Sequence, residues 1–137
     1  MNTINLGNFR LDFQPHFIKL KINEGYHFDA RAFTQCQTLK TEIYGNLKIG
    51  LLLSNDVEAD YSIDPLFLVK YREAMERHFQ WIIIVSNRKP DFMNYKYISR
   101  LTSIPCKFVR NYKSLDQDSS IASWPLSGCG NLNKAAA

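Results

Sequence analysis

Four carboxylates fall within nine positions of the stretch SNDVEADYSIDPLFLV: Asp56, Glu58, Asp60 and Asp64. Carboxylates this dense are the raw material of a divalent-cation site. One or two of them suffice for Mg²⁺, and a metal-bound water would then be the nucleophile of a hydrolase. Asp56 is the residue such a reaction would use, because it lies just past an oily run that reads as a strand, and α/β sheets present ligands at strand ends. The pattern is not a Ca²⁺ loop: it has no DxDxDG run and no glutamate at the twelfth position. The plainer reading keeps Asp56, Glu58 and Asp60 as a solvated loop and makes Asp64, followed by Pro65, the N-cap of a helix. That reading outweighs the metal site.

No other residue set points to a reaction. His16, His27 and His78 have no metal-ligand spacing. Ser62 and Ser86 lack a GxSxG context, and the six glycines are too scattered to cradle a phosphate. Cys36, Cys106 and Cys129 form no CxxC pair, which favours a reducing compartment, and Cys36 and Cys106 sit in apolar patterns as buried thiols. No catalytic residue, metal or cofactor is therefore expected.

The elements that must position these residues follow from hydrophobic period. Phe9, Leu11 and Phe13 alternate with polar residues, and so do Ile18, Leu20 and Ile22, which predicts two antiparallel strands. Asp29 is placed to cap a helix carrying Phe33, Cys36, Leu39 and Ile43, closed by Gly45. LKIGLLL at 47–53 and WIIIV at 81–85 are continuous apolar runs, as in parallel strands covered on both faces. Between them, Leu68, Tyr71, Met75, His78 and Phe79 predict one helix over 65–80. Met93, Tyr97, Ile98 and Leu101 mark a shorter helix, CKFVR at 106–110 a short strand, and Ser114 with Gln117 the capping box of a last helix reaching about Trp124. The order ββαβαβαβα predicts an α/β fold: a single mixed, mostly parallel sheet with an antiparallel N-terminal edge pair and about four helices packed on it. Residues 1–125 form the expected domain and 126–137 a tail.

Size and charge bound the partners. A chain of 137 residues, 45% hydrophobic, can bury a real core. No run is long enough to span a bilayer and MNTINLGNFR is no signal peptide, so the expected location is cytoplasmic. The net charge is +4, with Arg88, Lys89, Lys96, Arg100, Lys107, Arg110 and Lys113 concentrated in the second half among tyrosines. A solvated face outweighs a nucleic-acid or lipid surface there, so nucleic acid is not an expected partner. A Phe9–Phe13 edge strand and exposed aromatics suit a homodimer.

The succession NLKIGLLL, loop, helix, FQWIIIVSN, short helix, IPCKFVRNYKSLDQ and IASW resembles the STAS superfamily over roughly residues 9–124. It is most similar to the SpoIIAA-like STAS/SEC14 group of small bacterial domains. That resemblance implies a regulatory or binding module acting through protein–protein contact, here around the loop and helix at 54–80. The implied contact residues are Asp56, Glu58, Asp60, Tyr61, Ser62, Asp64 and Phe67. In anti-anti-sigma members a serine in a D-S-S-G-like motif at the helix start is phosphorylated, which breaks binding to a partner kinase. The matching stretch is YSIDPLFLV, where Pro65 replaces the glycine and the acceptor column falls on Ile63 or Asp64, leaving Ser62 as the nearby candidate phosphoacceptor. The SEC14 side of the resemblance implies an alternative, a carrier of a small lipophilic ligand or lipid held between the 65–80 helix and the sheet. The tail segment LNK resembles an integron gene cassette reading into its own recombination site.

Overall fold

The structure is a computed structural model that describes residues 2–54 and 60–113. The predicted final helix, the tail, Asp56 and Glu58 lie outside the described residues. The elements are β1 (Asn2–Asn5), β2 (Phe9–Phe13), β3 (Phe17–Ile22), β4 (His27–Phe28), α1 (Ala30–Tyr44), β5 (Ile49–Ser54), β6 (Ser62–Ile63), α2 (Leu66–Lys70), α3 (Arg72–His78), β7 (Phe79–Val85), α4 (Lys89–Leu101) and β8 (Cys106–Val109).

Six strands form one mixed sheet in the order β1-β2-β3-β5-β7-β8. The pairs β1–β2 and β2–β3 are antiparallel, and every later pair is parallel. The parallel strands add in chain order, and right-handed crossovers that always step the same way put their helices on one face. The core agrees. Ile18, Leu20, Leu53, Ile82 and Ile84 pack with Phe33, Cys36, Leu68, Met75 and Ile98 of the helices. The alternate strand positions Phe17, Leu52, Trp81, Ile83, Val85 and Val109 form a second buried cluster on the opposite face.

In that second cluster Trp81 lies beside Gly50 in register. A Cβ at Gly50 would meet the Trp81 ring at 2.1 Å. Glycine is required because the indole occupies the volume where any other side chain would begin.

Capping follows the sequence at α1. Asp29 Oδ1 accepts from the Ala32 amide at 3.1 Å, and Gly45 ends the helix at φ 62° with its N–H on the Thr41 carbonyl. The helix's inward stripe is Ala32, Phe33, Cys36 and Lys40, whereas Ile43 is exposed. Lys40 replaces an apolar residue there because its ammonium is satisfied inside: it donates to the Gly45 carbonyl at 2.9 Å and meets His78 Nδ1 at 3.0 Å.

Three expectations need correction. The edge strand is β1, not Phe9–Phe13: β1 pairs with β2 along its length, which removes the open apolar edge that argued for a homodimer. The helix predicted over 65–80 is two short helices meeting at Tyr71 (φ −109°, ψ 21°), whose ring packs on Phe33 at 5.4 Å between centroids. The second strand of the WIIIV type begins earlier, at Phe79, which pairs with Ile49. A small parallel ladder, β4 with β6, also lies outside the main sheet. No helix among the described residues is long and apolar enough to cross a membrane.

Candidate functional site

The described part of the acidic stretch runs from Asp60 into α2, and its backbone is pinned at three points. The Asp60 carbonyl accepts from Gly25 N–H, Ser62 N–H donates to the Tyr26 carbonyl, and Asp64 N–H donates to the Phe28 carbonyl. The middle of these is the β4–β6 ladder, with His27 opposite Ser62.

Beneath this ribbon is a buried polar cluster. Asp91, in the first turn of α4, is fully buried. Its Oδ2 accepts from the Tyr61 hydroxyl at 2.6 Å and the Ser86 hydroxyl at 2.5 Å, and lies 3.4 Å from Arg88 Nη1. Arg88 is shared. Its guanidinium sits 4.0 Å above the Tyr61 ring, Nη2 donates to the Tyr61 carbonyl at 2.7 Å, and the same nitrogen lies 3.5 Å from Asp60 Oδ1. Burial first, then the Asp91 charge, raises the Tyr61 phenol far above its usual pKa, so it stays a proton donor. The cluster ties the segment at 60–61 to the end of β7 and the start of α4. It is a latch with no opening for a substrate: Asp91 is inaccessible and Tyr61 is 4% exposed.

The latch sorts the predicted contact residues. Asp60, Ser62 and Asp64 face outward or lie half-buried at the surface. Tyr61 and Phe67 are core. Phe67 stacks on Phe33 at 5.3 Å and meets Phe28 edge-on at 6.0 Å, so neither residue is available to a partner. The Ser62 hydroxyl is exposed, 2.6 Å from His27 Nδ1. It lies in a strand and not at a helix start, so a phosphate there would not meet a helix dipole. Asp64 Oδ1 accepts from Leu66 N–H at 3.0 Å, but the N-cap position of α2 is Pro65, one residue later than the sequence predicted. With Phe67 and Leu68 turned inward, α2 turns Leu66 and Val69 out, 73% and 63% exposed. These two residues were not singled out from sequence. A helix stripe that pointed Phe67 and Leu68 inward would have found them.

No group of three or more His, Cys, Asp or Glu among the described residues could hold a metal ion. His16 is exposed, and His27 meets Ser62 at the surface. His78 is buried and paired with Lys40, and burial first, then the charges of Lys40 and Arg77, lowers its pKa. Cys36 is buried and Cys106 half-buried, both free, and burial pushes each thiol up to about 12. Cys36 is the buried packing thiol that the sequence predicted, whereas Cys106 is only half-buried.

A cavity of about 60 Å³ lies between the sheet and the helices. It is lined by apolar side chains, among them Leu20, Phe33, Phe67, Met75 and Ile98, with Asn94 at its edge.

No protein-family model and no curated protein matches the chain. Among solved structures, an uncharacterised protein of the DUF3478 family from Shewanella loihica PV-4, described as having a SpoIIAA-like fold, superposes with a TM-score of 0.54. It is 14% identical, and the match covers 85% of this chain and 98% of that one. The fold is therefore SpoIIAA-like: α/β with one mixed sheet, as the sequence resemblance implied.

Proposed function

We propose that the chain is a non-enzymatic binding module of STAS-like type, and that its contact face is the surface formed by Asp60, Ser62, Asp64, Leu66 and Val69. The observation that carries this reading is the exposure of two large aliphatic side chains, Leu66 and Val69, on a short helix whose Phe67 and Leu68 are buried beneath it. Apolar side chains inside a polar rim are the usual anatomy of a contact patch, and here Asp64 precedes Leu66 while Lys70, Arg72 and Glu73 line the surface with Val69. Phe67 and Leu68 anchor the helix, the Asp91 latch anchors the ribbon before it, and Asp56 and Glu58 belong to the same stretch of chain.

The carrier alternative needs a chamber between helices and sheet. The cavity in that position holds about 60 Å³. A cavity of about 150 Å³ is what accepts benzene in a well-studied engineered case. A lipid tail is far larger, so the contact module is the better reading.

The test is affinity capture with wild type and with the double variant Leu66→Asp, Val69→Asp, paired with light scattering of each. A partner protein retained by wild type and lost by the double variant supports the face, as does a wild-type homodimer that becomes monomeric. Unchanged capture and unchanged mass in the variant would sink it.

A further inference from the structure

Helix α4 packs Ile98, Tyr95 and Leu101 on the core but otherwise divides its faces unusually. Its buried positions are Asp91, Asn94 and Ile98, two of them polar. Its outward positions include Phe92, Met93 and Tyr97, each 37% exposed, with Lys89 and Arg100 exposed among them. A surface helix ordinarily points its apolar side at the core and its polar side at water. The latch accounts for the inward aspartate; of the outward aromatics, Phe92 keeps ring contacts with Phe108 and Tyr95 yet remains 37% exposed, as does Tyr97.

The aromatics are grouped. Phe92 meets Phe108 of β8 edge-on at 5.3 Å, Tyr95 lies 5.8 Å from Phe92 and 6.1 Å from Phe108, and Lys96 Nζ sits 4.9 Å over the Phe92 ring. Beyond the carboxyl ends of β7 and β8, a groove of about 520 Å³ is lined by Asn87, Arg88, Lys89, Phe92, Phe108 and Arg110. None of the six is acidic. Residues 87–113 hold seven of the chain's 17 lysines and arginines and one of its 13 carboxylates, a local charge of +6 where the whole chain carries +4. That single carboxylate, Asp91, is buried and neutralised by the latch.

We propose that this face binds single-stranded nucleic acid, with bases stacking on Phe92 and its aromatic neighbours and phosphates following Lys89, Lys96, Arg100 and Arg110. Cations interleaved with exposed ring faces are the chemistry of sequence-tolerant strand binding. Lys89 to Arg100 spans about 17 Å at 1.5 Å per residue. At roughly 3.4 Å per stacked nucleotide that is about five nucleotides, within the site sizes such folds use. An anionic membrane would satisfy the charge but not the concavity, because a bilayer surface does not fill a groove. The exposure of Phe92, Met93 and Tyr97 among the cations of α4 is what overrides the solvated-face reading of the sequence.

The experiment is fluorescence anisotropy of a labelled ten-nucleotide poly-U RNA and its poly-dT counterpart, titrated with the full chain at 50 and 200 mM salt. Four phosphate contacts give a slope of about −2.8 in log K against log salt, or roughly a fifty-fold loss between those two conditions. Arg110→Gln and Lys89→Gln, both at exposed positions, should each reduce the slope by about 0.7. Phe92→Ala should weaken binding about tenfold with little change in slope. Arg31→Gln, which removes the same charge from α1, should leave the titration unchanged. Binding with this slope and this pattern supports the proposal. No binding at 100 μM protein in 50 mM salt overturns it. So does an equal loss from Arg31→Gln, or sedimentation with phosphatidylserine vesicles in the absence of oligonucleotide binding.

Discussion

Replacing Asp91 with alanine tests whether the latch holds the candidate site in place. The substitution removes the acceptor of two buried hydroxyls, Tyr61 and Ser86, and one of the two carboxylates beside Arg88. A buried donor left without a partner costs about 1–3 kcal/mol, and breaking one side of a buried ion pair costs about 3–5 kcal/mol. Arg88 keeps Asp60 and the Tyr61 carbonyl, and Asp60 is largely exposed, so the lower end of that range applies. The expected destabilisation is therefore about 3 kcal/mol. With a urea m-value of roughly 1.5 kcal/mol/M, the unfolding midpoint falls by about 2 M. Tyr61→Phe alone deletes one hydrogen bond to a charged acceptor and should cost about 1.5–3 kcal/mol. The double variant should cost clearly less than the two losses added, because the Tyr61–Asp91 bond is counted once. Limited proteolysis of Asp91→Ala should also show earlier cleavage between residues 60 and 66. A loss below about 1 kcal/mol for Asp91→Ala, or strict additivity with Tyr61→Phe, would refute the latch.

Other perturbations give equally definite outcomes. Gly50→Ala sets a Cβ 2.1 Å from the Trp81 ring and should destabilise by about 1–3 kcal/mol in urea unfolding, with most of the loss relieved when Trp81→Leu is added. His78 has a folded pKa below its unfolded value of about 6.5, caused first by burial and then by Lys40 and Arg77. The unfolded chain therefore binds more protons just below pH 6.5, so stability rises with pH through that window and falls as pH drops. His78→Gln should flatten this segment of the stability–pH curve. Cys36 should resist a thiol reagent at pH 8 in the native state and react only on unfolding, read by mass spectrometry of its peptide. Leu66→Asp should change the unfolding free energy by no more than about 0.5 kcal/mol, because its side chain meets water.

The parts of the fold that were legible are those governed by local period. Alternation in Phe9–Phe13 and Phe17–Ile22, the oily runs around Leu52 and Ile83, and the capping pair Asp29 and Gly45 each declare their element within a few residues. β1 was not legible, because NTIN carries no apolar alternation, and neither was the two-residue ladder β4–β6, which exists only through a partner distant in sequence. Lys40 and Asp91 were not singled out, for the same reason. A charged residue on a helix reads as exposed unless its partners are known, and those partners are the Gly45 carbonyl and His78 for one, Tyr61, Ser86 and Arg88 for the other. Of the contact residues named from the acidic stretch, Asp60, Ser62 and Asp64 are placed at the surface, whereas Tyr61 and Phe67 serve the core. Ring packing between Phe28, Phe33 and Phe67 is a three-segment contact that no window of sequence displays.

Hydrogen exchange on the partner complex captured by the wild-type chain tests the contact face most directly. The account predicts that binding protects the amides of residues 60–70 and leaves those of Lys89–Leu101 unchanged. Protection confined to Lys89–Leu101, with 60–70 exchanging as in the free chain, would contradict it.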